Sequence, residues 1–383
     1  MINKKTRITF NQVKEFLLKK DFIVKKKDKK KLLNNDFKAL YYTFLSSLAL
    51  ILIFFLIPII VEFKKNTIIA SKEIENNSKI NFEKVLDQKK LKKFESIDEG
   101  LGTEYFEDIE YLLEDIPDND APDDSVRFSA QEIEKLFRET DYNLINVRKT
   151  KLVQPFPIAH LPEEMKVIQG TKKKKNLFIK IILPLILEEN NKVKLNRKKL
   201  FAILNKSNNS AAEKRWLNQK FKQYGVLNKD LLTLKIRMDI VPVSLAIAQA
   251  AKETGWGKSR FALEGNALFG QWTWSGEGIR PAGADENTTH KVMKFKVLKT
   301  SVKAYLRNLN THSSYKRFRL IRAVLRDNEK SLDSLILANY LDKYAETGEK
   351  YIIILKKIIK QNNLKDFDDV KLMPSSIQLK SLI

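Results

Sequence analysis

The stretch Val241–Trp274, VPVSLAIAQAAKETGWGKSRFALEGNALFGQWTW, constrains this chain more than any other. Pro242 fits the first turn of a helix, where its missing N–H costs nothing. Val243, Leu245, Ala246, Ile247, Ala248, Ala250 and Ala251 make that helix apolar nearly all round, which places it at the centre of its domain. Gly255 is a natural helix stop, and Gly257 lets the chain turn away. Glu253 therefore falls in the last helical turn. The negative end of the helix dipole disfavours an ionised carboxylate there, and apolar surroundings disfavour it further. Both raise a glutamate pKa, and a carboxylic acid still protonated near neutral pH is what general acid catalysis requires. The same spacing also describes an ordinary glutamate at a frayed helix end.

The run AKETGWGKS followed by GNALFG resembles the signature of the Bax-type branch of the bacterial glucosaminidases, a family of glycoside hydrolases. KNLFIKIILPLILEEN upstream and AYLRNLNTHSSYKRFR downstream resemble the same branch, so the likeness covers roughly residues 150–360. The resemblance implies an α+β, mostly helical, lysozyme-like domain with a small β-lobe over a sugar cleft. It implies hydrolysis of the β-1,4 bond on the reducing side of N-acetylglucosamine in peptidoglycan, with Glu253 as general acid and no metal or organic cofactor. Tyr344-Ala-Glu-Thr-Gly-Glu-Lys-Tyr351 resembles the family element YAT-x-x-x-x-Y. By that resemblance Tyr344 reaches the scissile bond and donates to the 2-acetamido group or to the attacking water. Tyr351 is the more core-like of the two. A lytic transglycosylase would need the same single glutamate but leave anhydro-sugar products, and a wall-binding scaffold would need no acid at all.

Trp272–Phe295 is punctuated by Gly276, Gly278, Pro281 and Gly283, with Val292, Phe295 and Val297 suggesting short strands, so the β-lobe is expected there. Trp272 and Trp274 alternate with Gln271 and Thr273, so both indoles face one way, either to stack on sugar rings or to pack the lobe. The substrate-facing set expected is Gln249, Trp256, Asn266, Phe269, Gln271, Trp272, Trp274 and Tyr351. Asn266 and Gln271 are placed to contact N-acetyl groups or to orient Glu253. A glycosidase ordinarily adds a second carboxylate. Glu277, Asp285 and Glu286 are the candidates, and Glu277 is favoured because glycines flank it soon after the tryptophans. Other branches of the family place a glutamate inside a β-lobe strand, and this sequence departs from that pattern. The substrate's own 2-acetamido group is the remaining possibility.

The rest of the chain divides by composition. Residues 1–38 are basic, with Lys25–Lys27 and Lys29–Lys31 the densest run. Ala39–Val61 carries no charge and exceeds the roughly 20 residues that a bilayer requires. Tyr41 and Tyr42 stand where interfacial aromatics belong, and Glu62-Phe-Lys64 offers no small-residue cleavage site. The expectation is an uncleaved anchor in the cytoplasmic membrane, N-terminus inside, with the catalytic domain periplasmic or extracellular. Residues 62–125 read as a charged linker whose second half is acidic. Residues 126–383 read as the catalytic domain, with its core at 170–362.

Ser129-Ala-Gln-Glu132 is a capping box for a helix through Phe137, and Ser210 starts another that closes near Gly225. Leu177–Leu187 contains Lys180 and Pro184 and reads as a core helix. Ser301 and Ser331 are expected to cap later helices, the second running to Tyr344, and the chain after Leu364 reads as a loose tail. The net charge of +24 comes from lysines scattered along the whole chain, with no nucleic-acid-binding module, so no nucleic-acid partner is expected. The absence of cysteine excludes disulfides and thiolate zinc sites. His160, His290 and His312 are too dispersed to suggest a metal site. No GxSxG, HExxH or phosphate-loop motif occurs.

Overall fold

Local capping starts the first helices of the computed structural model, which describes residues 125–273, 277–281 and 290–374. The expected basic segment, membrane helix and linker, together with Trp274, Asp285, Glu286 and residues 375–383, lie outside the described residues. Ser129 accepts from the Glu132 N–H while the Glu132 carboxylate takes the Ser129 N–H at 2.7 Å, starting α1 (Ala130–Glu139). The short helix α2 (Leu144–Thr150) is capped by Asn143, and strand β1 (Leu152–Val153) follows. The apolar run around Pro184 belongs to a much longer helix than expected, α3 (Thr171–Leu204). Its stretch Ile181–Leu187 is buried, and Pro184 lies inside the helix. Among the described residues no helix is long and apolar enough to cross a membrane.

A second capping box, Ser210 with Glu213, starts α4 (Ala211–Gln223), and Asp230 caps α5 (Leu231–Arg237). The central helix is α6 (Val243–Thr254), followed by α7 (Arg260–Gly265). The lobe holds β2 (Trp272–Thr273), β3 (Gly278–Ile279) and β4 (Lys291–Met293), antiparallel in the order β2-β4-β3. Trp272 pairs with Val292, and Gly278 with Met293. Phe295 and Val297 are not in strands. Phe295 packs under the lobe with Ala267, Val292 and Ala304, and Val297 heads α8 (Leu298–Thr311). Then come α9 (Lys316–Asp327), α10 (Ser334–Leu337), α11 (Glu349–Gln361) and β5 (Lys371–Leu372), which pairs parallel to β1. The described chain is thus mostly helical, with a small antiparallel sheet.

Two expected caps are used differently. Ser301 lies inside α8, fully buried, and its hydroxyl accepts from the Leu268 N–H at 3.0 Å. Asp333 rather than Ser331 caps α10, and the chain continues to Tyr344 as short 3-10 turns. The described part of the segment after Leu364, through residue 374, is built in, since Leu364, Phe367 and Val370 are buried.

Helix α6 packs against α11, α3, α10 and the turn Leu364–Phe367. Every residue from Val243 to Ala251 is buried. Each fully buried Leu or Ile there contributes roughly 1.5–3 kcal/mol. Pro242 offers no capping side chain, so Asp368 supplies one, accepting from Ser244 N–H at 2.8 Å and Ser244 Oγ at 2.7 Å. The turn before α6 is pinned by buried Arg322, which donates to the carbonyls of Ile236, Arg237, Asp239 and Ile240. Burial would raise the Asp239 pKa, but the charges of Arg322, Arg197 and Arg326 outweigh it and hold the carboxyl below its usual range. From α3, Asn190 pairs with both the N–H and the carbonyl of Val241.

Candidate active site

Glu253 is the penultimate residue of α6, and the helix ends immediately after it because Gly255 turns left-handed at φ 57°. The exit is locked. Buried Thr254 donates to the Ala250 carbonyl at 2.6 Å and accepts from the Gly257 N–H at 2.8 Å. Gly257, at φ +82°, passes so close to Phe178, Met165 and Leu161 that a methyl group there would meet all three at 3.0–3.2 Å. The carboxylate therefore projects from a fixed point.

A hydrogen-bonded relay fixes it further. Tyr305 on α8 donates to Gln249 Oε1 at 2.6 Å, and Gln249 Nε2 donates to the Tyr351 hydroxyl at 3.1 Å. Tyr351, on α11, in turn donates to the Glu253 carboxylate. Oε1 of Glu253 is buried and has no hydrogen-bond partner among the described residues. A Cβ at Gly270 would sit 3.5 Å from Oε2, so the signature loop closes over that side. Burial raises the Glu253 pKa, and this outweighs the opposing charge of Lys252 and the bond from Tyr351.

The signature loop itself is clamped from below. Asn266 adopts φ 51° and ends α7. Its amide donates to the carbonyls of Phe295 and Lys296, both at 2.9 Å, and its oxygen lies 3.2 Å from His160 Nδ1. Phe269 stacks on Tyr305 with ring centroids 3.8 Å apart. The Phe269 carbonyl accepts from the Tyr344 hydroxyl at 2.9 Å. Tyr344 stacks on Tyr351, and Tyr315 stands beside it at 5.7 Å. Burial first, then the neighbouring Tyr351 and Tyr315, keeps the Tyr344 phenol far above its ordinary pKa, so it acts as a neutral donor.

The expected site residues thus fall into distinct places. Glu253, Tyr344, Tyr351, Gln249, Phe269 and Gln271 come together. Gln249, Phe269 and Tyr351 are fully buried, so they stand behind the carboxylate rather than facing a sugar. Trp256, half-buried, packs edge-on against Phe178 with Lys175 Nζ 4.7 Å above its ring. Asn266 is spent on loop carbonyls. Gln271 is buried, yet neither atom of its side-chain amide has a partner among the described residues. Trp272 is 40% exposed and packs edge-on against His290. Glu277 is exposed beside β3, and its carbonyl rather than its carboxylate is engaged, by Lys294 N–H. Among the described residues no carboxylate shifts Glu253, and Asp285 and Glu286 lie outside them. Sequence reasoning missed Tyr305, Tyr315, His160 and Asp368. Tyr305 could have been found from its place on the apolar face of AYLRNL.

Residues 228–364 match the family described as Glucosaminidase, mannosyl-glycoprotein endo-beta-N-acetylglucosaminidase. The chain is 32% identical over 199 residues to Protein bax of Escherichia coli (strain K12), covering 50% of this chain and 71% of that protein. The chain belongs to the Bax-type glucosaminidases. It is a glycoside hydrolase by family. The catalytic domain of the autolysin Auto from Listeria monocytogenes is 22% identical and covers 46% of this chain and 97% of that one, at a TM-score of 0.26. In this glucosaminidase the family match starts just before α5 and ends at the turn beyond α11. It therefore contains Glu253, the whole relay and the signature loop.

Proposed function

We propose that the chain hydrolyses peptidoglycan as an endo-β-N-acetylglucosaminidase with Glu253 as its general acid. The observation that carries this reading is a carboxyl at the end of a buried helix, its pKa raised by burial, beside Tyr351 and with buried Oε1 unpartnered among the described residues. Protonated Glu253 gives its proton to the leaving glycosidic oxygen as the bond to C1 breaks. Water adds to C1, and its proton restores the acid. The nucleophilic or orienting role goes to the 2-acetamido group of the substrate or to a carboxylate of the lobe such as Glu277. The Tyr344 hydroxyl gives its one proton to the Phe269 carbonyl, so it can only accept, from the acetamido N–H or from the water. Exposed Trp272 offers a face for a sugar ring.

The domain of this reading is lysozyme-like, with the sheet forming one wall of the cleft. The charge-free run 39–61 after a basic leader supports a single membrane anchor with its N-terminus inside and the hydrolase on the far side of the membrane. The test is to incubate full-length protein with purified peptidoglycan and read the products by mass spectrometry beside Glu253→Gln. Fragments ending in reducing N-acetylglucosamine, lost in the variant, are the expected result. Anhydro-muramyl products would make the chain a lytic transglycosylase. Binding without release would make it a scaffold.

A further inference from the structure

The chain upstream of the matched residues 228–364 packs against both ends of the signature segment. At its start, fully buried Leu161 and Met165 stand 3.2 and 3.1 Å from where a methyl group on Gly257 would be. At its end, His160 Nδ1 lies 3.2 Å from Asn266 Oδ1. Arg127 closes the same side. It donates to Glu163 at 2.9 Å and to the Leu263 carbonyl at 2.6 Å, one of those that the end of α7 leaves without a partner inside the helix.

These bonds fix the state of the His160 ring. The Asn266 amide has two N–H groups, and both go to the carbonyls of Phe295 and Lys296, which can only accept. Asn266 Oδ1 is therefore the acceptor for His160, and the proton of the neutral imidazole sits on Nδ1. Nε2 is left as an acceptor, and the Ser125 hydroxyl donates to it at 2.9 Å. Asn266 is buried and left-handed at φ 51°, the point where α7 gives way to the loop 267–271. Three residues on, the Phe269 carbonyl receives Tyr344. The next residue, Gly270, stands over Glu253, with the place of a Cβ 3.5 Å from Oε2.

We infer that His160 is a positioning residue for the acid: its Nδ1–H holds the Asn266 amide on the Phe295 and Lys296 carbonyls and so sets how closely the loop closes over Glu253. Without that donor, buried Asn266 Oδ1 is unsatisfied, and the amide relieves the cost by turning away from both carbonyls. The loop then lifts and water reaches the carboxyl. The burial that favours the protonated form of Glu253 weakens. The role rests on Glu253 being the acid, and it extends the catalytic unit upstream of the family match.

The test compares His160→Ala, His160→Asn and His160→Gln in the full-length chain. Asparagine presents a donor where Nδ1 stands, and glutamine presents one only where Nε2 stands. The first readout is the NMR titration of the Glu253 carboxyl, assigned with Glu253→Gln. Its midpoint should fall by roughly half a pH unit or more in the Ala and Gln variants and stay at the parent value in His160→Asn. The second is the pH profile on peptidoglycan. The alkaline limb of kcat/KM should move down with the midpoint, and kcat should drop about tenfold while KM holds. A merely destabilising change would lower activity equally at every pH. Should His160→Ala fail to fold, the Asn and Gln variants give the same comparison. A parent chain no more active than Glu253→Gln would refute the hydrolase reading, and the titration alone would then decide whether His160 sets the surroundings of the carboxyl. An unmoved Glu253 midpoint in the folded Ala and Gln variants, or an Asn variant that shifts as far as the Gln variant, would overturn the inference.

Discussion

Tyr351→Phe removes one oxygen from the relay and leaves the ring that stacks on Tyr344 at 5.5 Å. The lost hydrogen bond favours the ionised form of Glu253 over the acid. A hydrogen bond to a charged group contributes about 1.5–3 kcal/mol, and each pKa unit corresponds to about 1.36 kcal/mol. Glu253 is only partly buried and Lys252 still opposes the shift, so the lower end applies and its pKa should rise by roughly one unit. A general acid works only while protonated, so activity falls as pH rises through this pKa. The alkaline limb of kcat/KM on peptidoglycan should therefore move up by about one pH unit in the variant. Gln249 Nε2 loses its acceptor, at a cost of about 1 kcal/mol in folding stability. A folded variant whose alkaline limb stays in place would refute the contact between Tyr351 and the ionised carboxylate.

Three further outcomes follow from the same geometry. Glu253→Gln should lower the rate of peptidoglycan solubilisation by roughly 10²–10⁴-fold without lowering the thermal midpoint at pH 7, since the burial penalty on the charge disappears with it. In denaturant unfolding, Gly255→Ala should cost about 1–2 kcal/mol for its left-handed backbone alone. Gly257→Ala should cost about 1–3 kcal/mol more, because its methyl group also meets Phe178, Met165 and Leu161, and equal losses would contradict this packing. Burial raises the Asp368 carboxyl to about 6 in spite of its bonds from Ser244. Its contribution to stability is present below its unfolded value and is lost as pH rises through about 6. Asp368→Asn should flatten the fall in thermal midpoint between about pH 4 and pH 6, and an unchanged slope would count against it.

What the sequence displayed was what acts over a few residues. Ser129 with Glu132 and Ser210 with Glu213 are caps whose partners stand three positions away, and both helices start where those residues place them. Gly255 ends α6 for the same local reason, which fixes Glu253. The misreadings are residues whose partners are distant in the chain. Ser301 resembles a cap but bonds Leu268, and Asp368 lies in what reads as a tail yet caps α6. Gln249 and Tyr351 read as substrate-facing but are fully buried, and the bonds of Gln249 to Tyr305 and Tyr351 cross between α6, α8 and α11. No spacing rule reveals that they face inward.

The most direct test of the account is the titration of Glu253 itself. Carboxyl-labelled glutamate in the full-length chain gives one NMR signal per residue, and the signal absent from Glu253→Gln belongs to Glu253. The account predicts that this signal titrates at a higher pH than those of the exposed glutamates, with the acid form persisting toward neutrality. A midpoint at or below theirs would mean that Glu253 is ionised in the resting enzyme and cannot be the proton donor described.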